Sequence, residues 1–410
     1  MKLFGLAFWE ELRQGFIRQT RQYPVAVLCG LICAVSFSLA IDDSLRYNSI
    51  WRVRWIRLGI TGGFGISLFI LAELLVGRLK AKLSWAFVPV NVLGLLCLIG
   101  LYLWIPFYNG AELLNTFLIR LLMLAVLVHL AIAVIPAFIQ EEPDVALWEY
   151  NKTIFTRFLL SGFFSAVFFG GVVLALISID KMFGLDLDEE NIGRIWFFCA
   201  FVLNTFLFLG AFPDMEERMN LQLDYPKWIH FFSKFILLPL VVIYFAILFV
   251  YSLKILFSWS CPNRWVGLPV FVLSAVGGLT GLLIWPLAKV EPLTPWAKTF
   301  WRFFFPLLIP LSVLLLLALQ RRISDYGFTE IRYLGVILAF WILGICIYYT
   351  VRPGASFKAI PWSLICIAIV FSINPLSPAS VARKSQWKRL SNILATENLL
   401  KDGILVSNPH

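Results

Sequence analysis

The feature that most constrains this chain is a succession of apolar stretches, each close to twenty residues long and separated by short polar breaks. Tyr23 to Ile41 is the first. The others run over 58–77, 83–105, 117–138, 158–179, 195–212, 235–257, 265–288, 299–319, 332–351 and 359–376. A bilayer core about 30 Å thick accepts roughly 20 apolar residues per helix. Backbone groups cannot stay unpaired in hydrocarbon, so only helices or closed barrels cross it. Barrel strands are short and alternate polar with apolar residues, whereas these runs are unbroken. The expected fold is therefore all-α, a polytopic transmembrane helical bundle of about 11 spans (10–12).

Composition narrows the function classes. Charged residues are 14% of the 410 and hydrophobic ones 60%, against about 25% charged in a typical soluble domain. The net charge of +10 comes from Lys and Arg gathered at span ends and in loops, where they set orientation and bind anionic headgroups. Membrane lipids are the expected partners. Nucleic acid is not, because no loop is long enough to house a binding module and no aromatic–basic stacking pattern occurs. All of the seven Cys except Cys261 fall in the apolar runs (Cys29, Cys33, Cys97, Cys199, Cys346, Cys366). There they act as small apolar residues rather than a disulfide framework.

Three regions are expected. Residues 1–22 place Leu3, Phe4, Phe8, Trp9, Leu12 and Phe16 near one face and Arg13, Arg18 and Arg21 away from it, the pattern of an interfacial amphipathic helix. Residues 23–376 form the transmembrane bundle, with the first run retained rather than cleaved as a signal. Residues 377–410 are a basic amphipathic tail. Ser380 is expected to cap its helix, Trp387, Leu390 and Leu394 to share a face, and Gly403 to end it. Charge leaves the orientation open. Arg78, Lys80 and Lys82 place the N-terminus in the cytoplasm, whereas Arg46, Arg52, Arg54 and Arg57, read as the first loop, oppose that.

Polar residues inside the spans are the first candidates for function, because burying them without partners costs several kcal/mol. They are Glu73, Asn91, His129 and Asn204. A Glu and a His in one bundle can relay protons, since His titrates near neutrality; the plainer reading is interhelical glue. Gly162, Ala166 and Gly170, and Gly277 with Gly281, mark close helix contacts. Pro306 and Pro310 sit four apart in the ninth span. The acidic groups at Glu141–Asp144, Asp186–Glu190 and Asp214–Glu217 read as solvated loops without cation-ligand spacing. No nucleotide-binding, nucleophile-elbow or zinc motif occurs, so no catalytic residue, metal site or cofactor is expected.

The densest polar segment runs from Arg321 to Tyr333. Arg321, Arg322, Asp325, Tyr326, Gly327, Thr329, Glu330, Arg332 and Tyr333 form the candidate functional motif. Its local logic is a capped turn. The arginines face the negative end of the ninth helix, Gly327 takes the left-handed conformation after it, and Thr329 caps the tenth helix with Glu330 in its first turn. The pattern R-I-x-x-Y-G-x-T-E-x-R-Y resembles the signature of a bacterial multi-pass family, domain of unknown function 4153. Lys234–Leu256, the Pro262–Val266 turn and Ala382–Leu390 extend the resemblance over about 230–395. Ile331 stands where that family carries Asn or Pro. The resemblance implies a bacterial inner-membrane protein and no particular activity. The expected function is a transporter-like or channel-like bundle for a small solute or ion. A scaffold or sensor that holds protein partners is the second reading, and a membrane-embedded enzyme acting on lipid is the least favoured.

Overall fold

A computed structural model describes residues 14, 17, 20–42, 49–80, 87–106, 111–135, 143–184, 188–210, 225–258, 267–289, 294–397, 399–401 and 404–405. The chain divides into two compact units, Met1–Gln222 and Leu223–His410. Most of the amphipathic segment 1–22, the Asp214–Glu217 group, Cys261 and Gly403 lie outside the described residues.

The first unit contains α1 (Pro24–Ala40), α2 (Ser49–Lys80), α3 (Phe87–Trp104), α4 (Ala111–Val134), α5 (Pro143–Phe183) and α6 (Glu189–Gly210). Its tightest crossing is α1 on α2. A Cβ on Gly62 would lie 2.9 Å from both the Cys29 carbonyl oxygen and the Cys33 nitrogen, so only glycine permits the approach. Cys29 and Cys33 are both buried, Cys29 in one cluster with Phe69, Leu74 and Tyr150. In lipid the helices are held by such van der Waals fit, because the surrounding chains are as apolar as Leu.

The second unit contains α7 (Lys227–Ser258), α8 (Gly267–Leu283), a short helix Trp285–Lys289, α9 (Pro295–Tyr326), α10 (Glu330–Val351), α11 (Ala359–Val370) and α12 (Pro378–Thr396). A two-residue antiparallel ladder pairs Leu400–Lys401 with Ile404–Leu405. Its core runs along α9 through Phe304, Leu311 and Leu315, met by Leu273 of α8 and Ala339 of α10. Helix α9 carries Pro306 and Pro310 without interruption.

Among the described residues, eight helices are long and apolar enough to cross a membrane, and α1, α8 and α11 are shorter apolar helices. Every apolar run read from the sequence overlaps one of them, although the run 359–376 outlasts its helix, which ends at Val370, and the run 265–288 passes from α8 into the short helix Trp285–Lys289. The protein is an all-α polytopic membrane bundle.

Several boundaries differ from the sequence reading, because helices continue past the apolar stretch that marks a span. Helix α2 starts at Ser49, so Arg52, Arg54 and Arg57 are helical rather than loop residues. Helix α5 starts at Pro143 with Asp144 in its first turn, which removes those two from the acidic loop. At 41 residues it is about 60 Å long. Asp188 is the N-cap of α6, and Glu190 pairs with Arg194 at 2.8 Å. Helix α12 is capped by Ser377, whose Oγ accepts the Ser380 N–H at 3.4 Å, and it ends at Thr396. The two small-residue stripes also part company. A Cβ at Gly277 would collide with the Phe304 ring, whereas Gly162 and Gly170 have nothing within 4 Å of a Cβ among the described residues.

Candidate functional site

In the first unit, α2, α4, α5 and α6 surround a cavity of about 460 Å³. Most of its wall is apolar, formed by residues such as Ile66, Ile132, Phe155 and Phe208, but several polar side chains converge on it. His129 of α4 has Nδ1 2.7 Å from the Ala125 carbonyl and Nε2 3.3 Å from Ser67 Oγ of α2. A carbonyl accepts only, so Nδ1 carries a proton and donates to it. Asn151 of α5 donates from Nδ2 to the Ala133 and Leu147 carbonyls at 2.9 and 2.8 Å. Asn204 and Thr205 enter from α6, and Asn204 Oδ1 is buried without a hydrogen-bond partner among the described residues.

The fourth wall has a local cause. Helix α6 widens into a π-helical turn at Cys199–Leu203, directly before Asn204. A π turn shifts the register by one residue and loosens a carbonyl from the usual ladder. Here the Cys199 carbonyl accepts both the Asn204 N–H and Ser165 Oγ of α5, the latter at 2.6 Å. Helix α1 closes on the same turn. A Cβ on Gly30 would sit 2.5 Å from the Phe201 carbonyl oxygen. Ala200, Phe201, Asn204 and Thr205 are thereby all presented to the cavity.

Of the intramembrane polar residues singled out from the sequence, the cavity gathers His129 and Asn204. Asn91 lies on α3, where its Nδ2 donates to the Phe87 carbonyl at 2.9 Å and its Oδ1 is buried without a partner. Glu73 is half-buried near the end of α2. Neither Glu73 nor Asn91 lines the cavity. Sequence reading missed Ser67, Asn151 and Thr205, and Asn151 was missed for a definite reason. The apolar run of α5 starts near 158, while the helix starts fifteen residues earlier. The helical spacing of Leu147, Asn151 and Ile154 was the available signal. Two charges outside the apolar runs are buried as well, Arg57, which was expected in a loop, and Glu149. Arg57 is 3% exposed, with its guanidinium on the Tyr102 ring and carbonyl, and Glu149 is 2% exposed, paired with Lys152 at 2.6 Å.

The Arg321–Tyr333 segment of the second unit is a junction between α9 and α10 held by α12. Gly327 has φ +72° and ψ 179°, so it takes a positive φ with an extended ψ, a region open essentially to glycine, rather than the left-handed helical one. Thr329 caps α10, its Oγ1 accepting the Arg332 N–H at 3.4 Å. The backbone of the junction is almost fully engaged by side chains. Arg389 donates to the Asp325 carbonyl at 2.7 Å, and Gln386 donates to the Phe328 carbonyl at 2.7 Å and the Tyr326 carbonyl at 3.3 Å. Arg332 donates to the Gly327 carbonyl at 3.0 Å with its guanidinium over the Tyr326 ring, and Ser385 Oγ accepts the Phe328 N–H at 3.0 Å. Tyr333 meets Phe328 and Phe371 edge-on. Arg321 makes an exposed pair with Asp325 at 3.5 Å, Arg322 is half-buried, and Glu330 lies in the first turn of α10.

A family model described as a domain of unknown function (DUF4153) matches residues 25–400. The chain belongs to this family. Both the cavity and the junction of this DUF4153 protein lie within the matched range. An uncharacterized protein of Pasteurella multocida (strain Pm70) is 28% identical over 240 residues, covering 56% of this chain and 39% of that relative. The match thus spans well under half of the relative's length. No solved structure matches the chain. Among the described residues of the DUF4153 protein, no group of three or more His, Cys, Asp or Glu could hold a metal ion.

Proposed function

We propose that this protein is a transporter-like bundle of the bacterial inner membrane, and that the cavity of the first unit is its binding site for a small solute. The observation that carries this is the convergence of His129, Asn151, Asn204, Ser67 and Thr205 on one space at a π turn. Polar groups in apolar spans are costly, and mere interhelical glue would pair them with one another. Ser67 and His129 do pair across two helices and Asn151 bonds to two carbonyls, but Asn204 lines the space with an Oδ1 that has no partner among the described residues. Among the described residues, no carboxylate, Lys or Arg lines the cavity, so a neutral solute fits it better than a bare ion. The π turn adds to the reading, since such turns cluster at functional sites. Family membership and the Pasteurella relative favour a bacterial membrane.

The test uses purified protein and a panel of neutral solutes and alkali-metal salts. A solute that binds the folded state raises the melting temperature. The shift should disappear in Asn204→Leu, and the same solute should cross proteoliposomes containing the native protein only. A panel without any stabilising member, or a hit that Asn204→Leu keeps in full, sinks the proposal.

The junction of the second unit supports a different role, which we infer to be anchorage of the tail. Helix α12 uses Ser385, Gln386 and Arg389 to hold the junction and leaves Trp387, Leu390 and Ile393 exposed. With Lys384 and Lys388 beside them, those residues suit the headgroup region of the membrane.

A further inference from the structure

The second unit holds its own cavity, of about 540 Å³, between α8, α9, α10 and α11. We infer that this is a binding site for one acidic phospholipid, with an acyl chain in the cavity and its phosphate at the Arg352–Lys358 turn. The chemistry of the lining points to hydrocarbon. Its polar atoms are already satisfied, because Ser274 Oγ donates to the Val270 carbonyl at 2.8 Å and Trp341 Nε1 donates to Ser363 Oγ at 2.8 Å. Cys346 behaves as a small apolar group. Among the described lining residues the Ser274 and Trp341 donors are both engaged, which leaves little for a polar solute.

Dimensions and rim argue for a lipid tail in particular. The cavity extends along α8 from Phe271 to Leu282, eleven residues or about 16 Å of helix. That is close to half of a hydrocarbon core about 30 Å thick, the depth of one leaflet. Its far end, at Phe271, lies beside Gly335 near the start of α10. Its near end, at Leu282, Ile345 and Ile360, adjoins an aromatic and basic rim. Trp285 stacks edge-on against Phe357 at 5.1 Å, and Trp301 meets Tyr349 at 5.8 Å. Lys289 lies 5.5 Å over the Trp301 ring and donates to the Pro353 carbonyl, which ties it to the same turn as Arg352 and Lys358. Aromatic rings at headgroup level and cations beside them are what an anionic headgroup meets at a bilayer surface. The carboxylates Asp325 and Glu330 lie at the opposite end of α10. Gly278 leaves the space open, with nothing within 4 Å of a Cβ among the described residues.

The experiment reconstitutes the full chain in phosphatidylcholine nanodiscs containing about one-tenth phosphatidylglycerol, then counts retained lipid by native mass spectrometry after detergent exchange. Phosphatidylglycerol should be retained several-fold above its bulk share. Gly278→Phe, which fills the cavity, should reduce that to the bulk share. Arg352→Gln with Lys358→Gln should leave a lipid bound but bring the phosphatidylglycerol preference down to about one. A second measurement keeps the test decisive if Gly278→Phe fails to fold. Phosphatidylglycerol brominated on its acyl chain should quench tryptophan emission more than brominated phosphatidylcholine, and Trp341→Phe should remove that excess. Unchanged retention in both variant proteins, or equal quenching by the two lipids, overturns the inference. The solute proposal for the first unit is untouched by either result, since the two cavities share no residue.

Discussion

The cavity of the first unit and the junction of the second hold the polar side chains of this protein in opposite ways. At the junction, four successive carbonyls from Asp325 to Phe328 and the Phe328 N–H all receive side-chain partners, three of them from α12. At the cavity, Asn204 Oδ1 is buried without a partner among the described residues, while His129 and Asn151 each make one bond within their own helix and one to a neighbouring helix. A polar group that the fold has fully engaged is building structure. One left incompletely satisfied inside an apolar wall has been retained at a cost to stability, and ligand binding is a use for it. Density of charge along the chain therefore points at the anchor, and sparse polar residues deep in spans point at the site.

The comparison breaks most visibly where the cavity depends on close backbone approach. Gly30→Ala sets a methyl group against the Phe201 carbonyl of the π turn, and overpacking of this kind costs about 1–3 kcal/mol. Its melting temperature should fall clearly in a detergent thermal-shift assay, while Gly278→Ala, which meets open space, should melt as the native protein does. Equal melting of the two would remove the close contact that shapes the wall.

At the junction the next largest effect is expected. Gln386→Ala strips the partner from the Phe328 carbonyl and one from the Tyr326 carbonyl, a loss of about 1 kcal/mol where water can partly replace it. Limited proteolysis should then cut between Tyr326 and α12 faster than in the native protein. A protease-resistant variant would show that α12 is held by other contacts.

Asn204→Leu should do the reverse of Gln386→Ala, with stability unchanged or slightly raised, because an unpartnered buried acceptor is removed. Loss of stability comparable to the Gln386 variant would place Asn204 among the structural groups and erase the contrast. The smallest change belongs to Arg321→Ala. Its pair with Asp325 is 3.5 Å long, with side chains 60% and 46% exposed, and such surface pairs contribute about 0–1 kcal/mol. A large drop in melting temperature there would mean that the charge of the segment, and not its backbone contacts, holds α12.

What the sequence determined by itself follows from rules that act locally. Twenty-residue apolar runs demand helices in lipid, so the all-α polytopic fold and the positions of the spans were legible from hydropathy alone. Thr329 as a cap was legible too, since it depends only on neighbouring backbone, whereas Gly327 pairs its positive φ with an extended ψ in place of the expected left-handed conformation. Helix ends were not, because hydropathy marks where the membrane stops and a helix such as α5 runs on past it. The membership of the cavity was decided only in three dimensions. Ser67, His129, Asn151 and Asn204 come from four helices, and no periodicity along one helix records what faces it from another. The partners of the junction were likewise invisible, since Gln386 and Arg389 lie about sixty residues beyond the carbonyls they bond. Local chemistry is written in the order of the residues, but the pairing of distant polar groups is settled by how the helices pack.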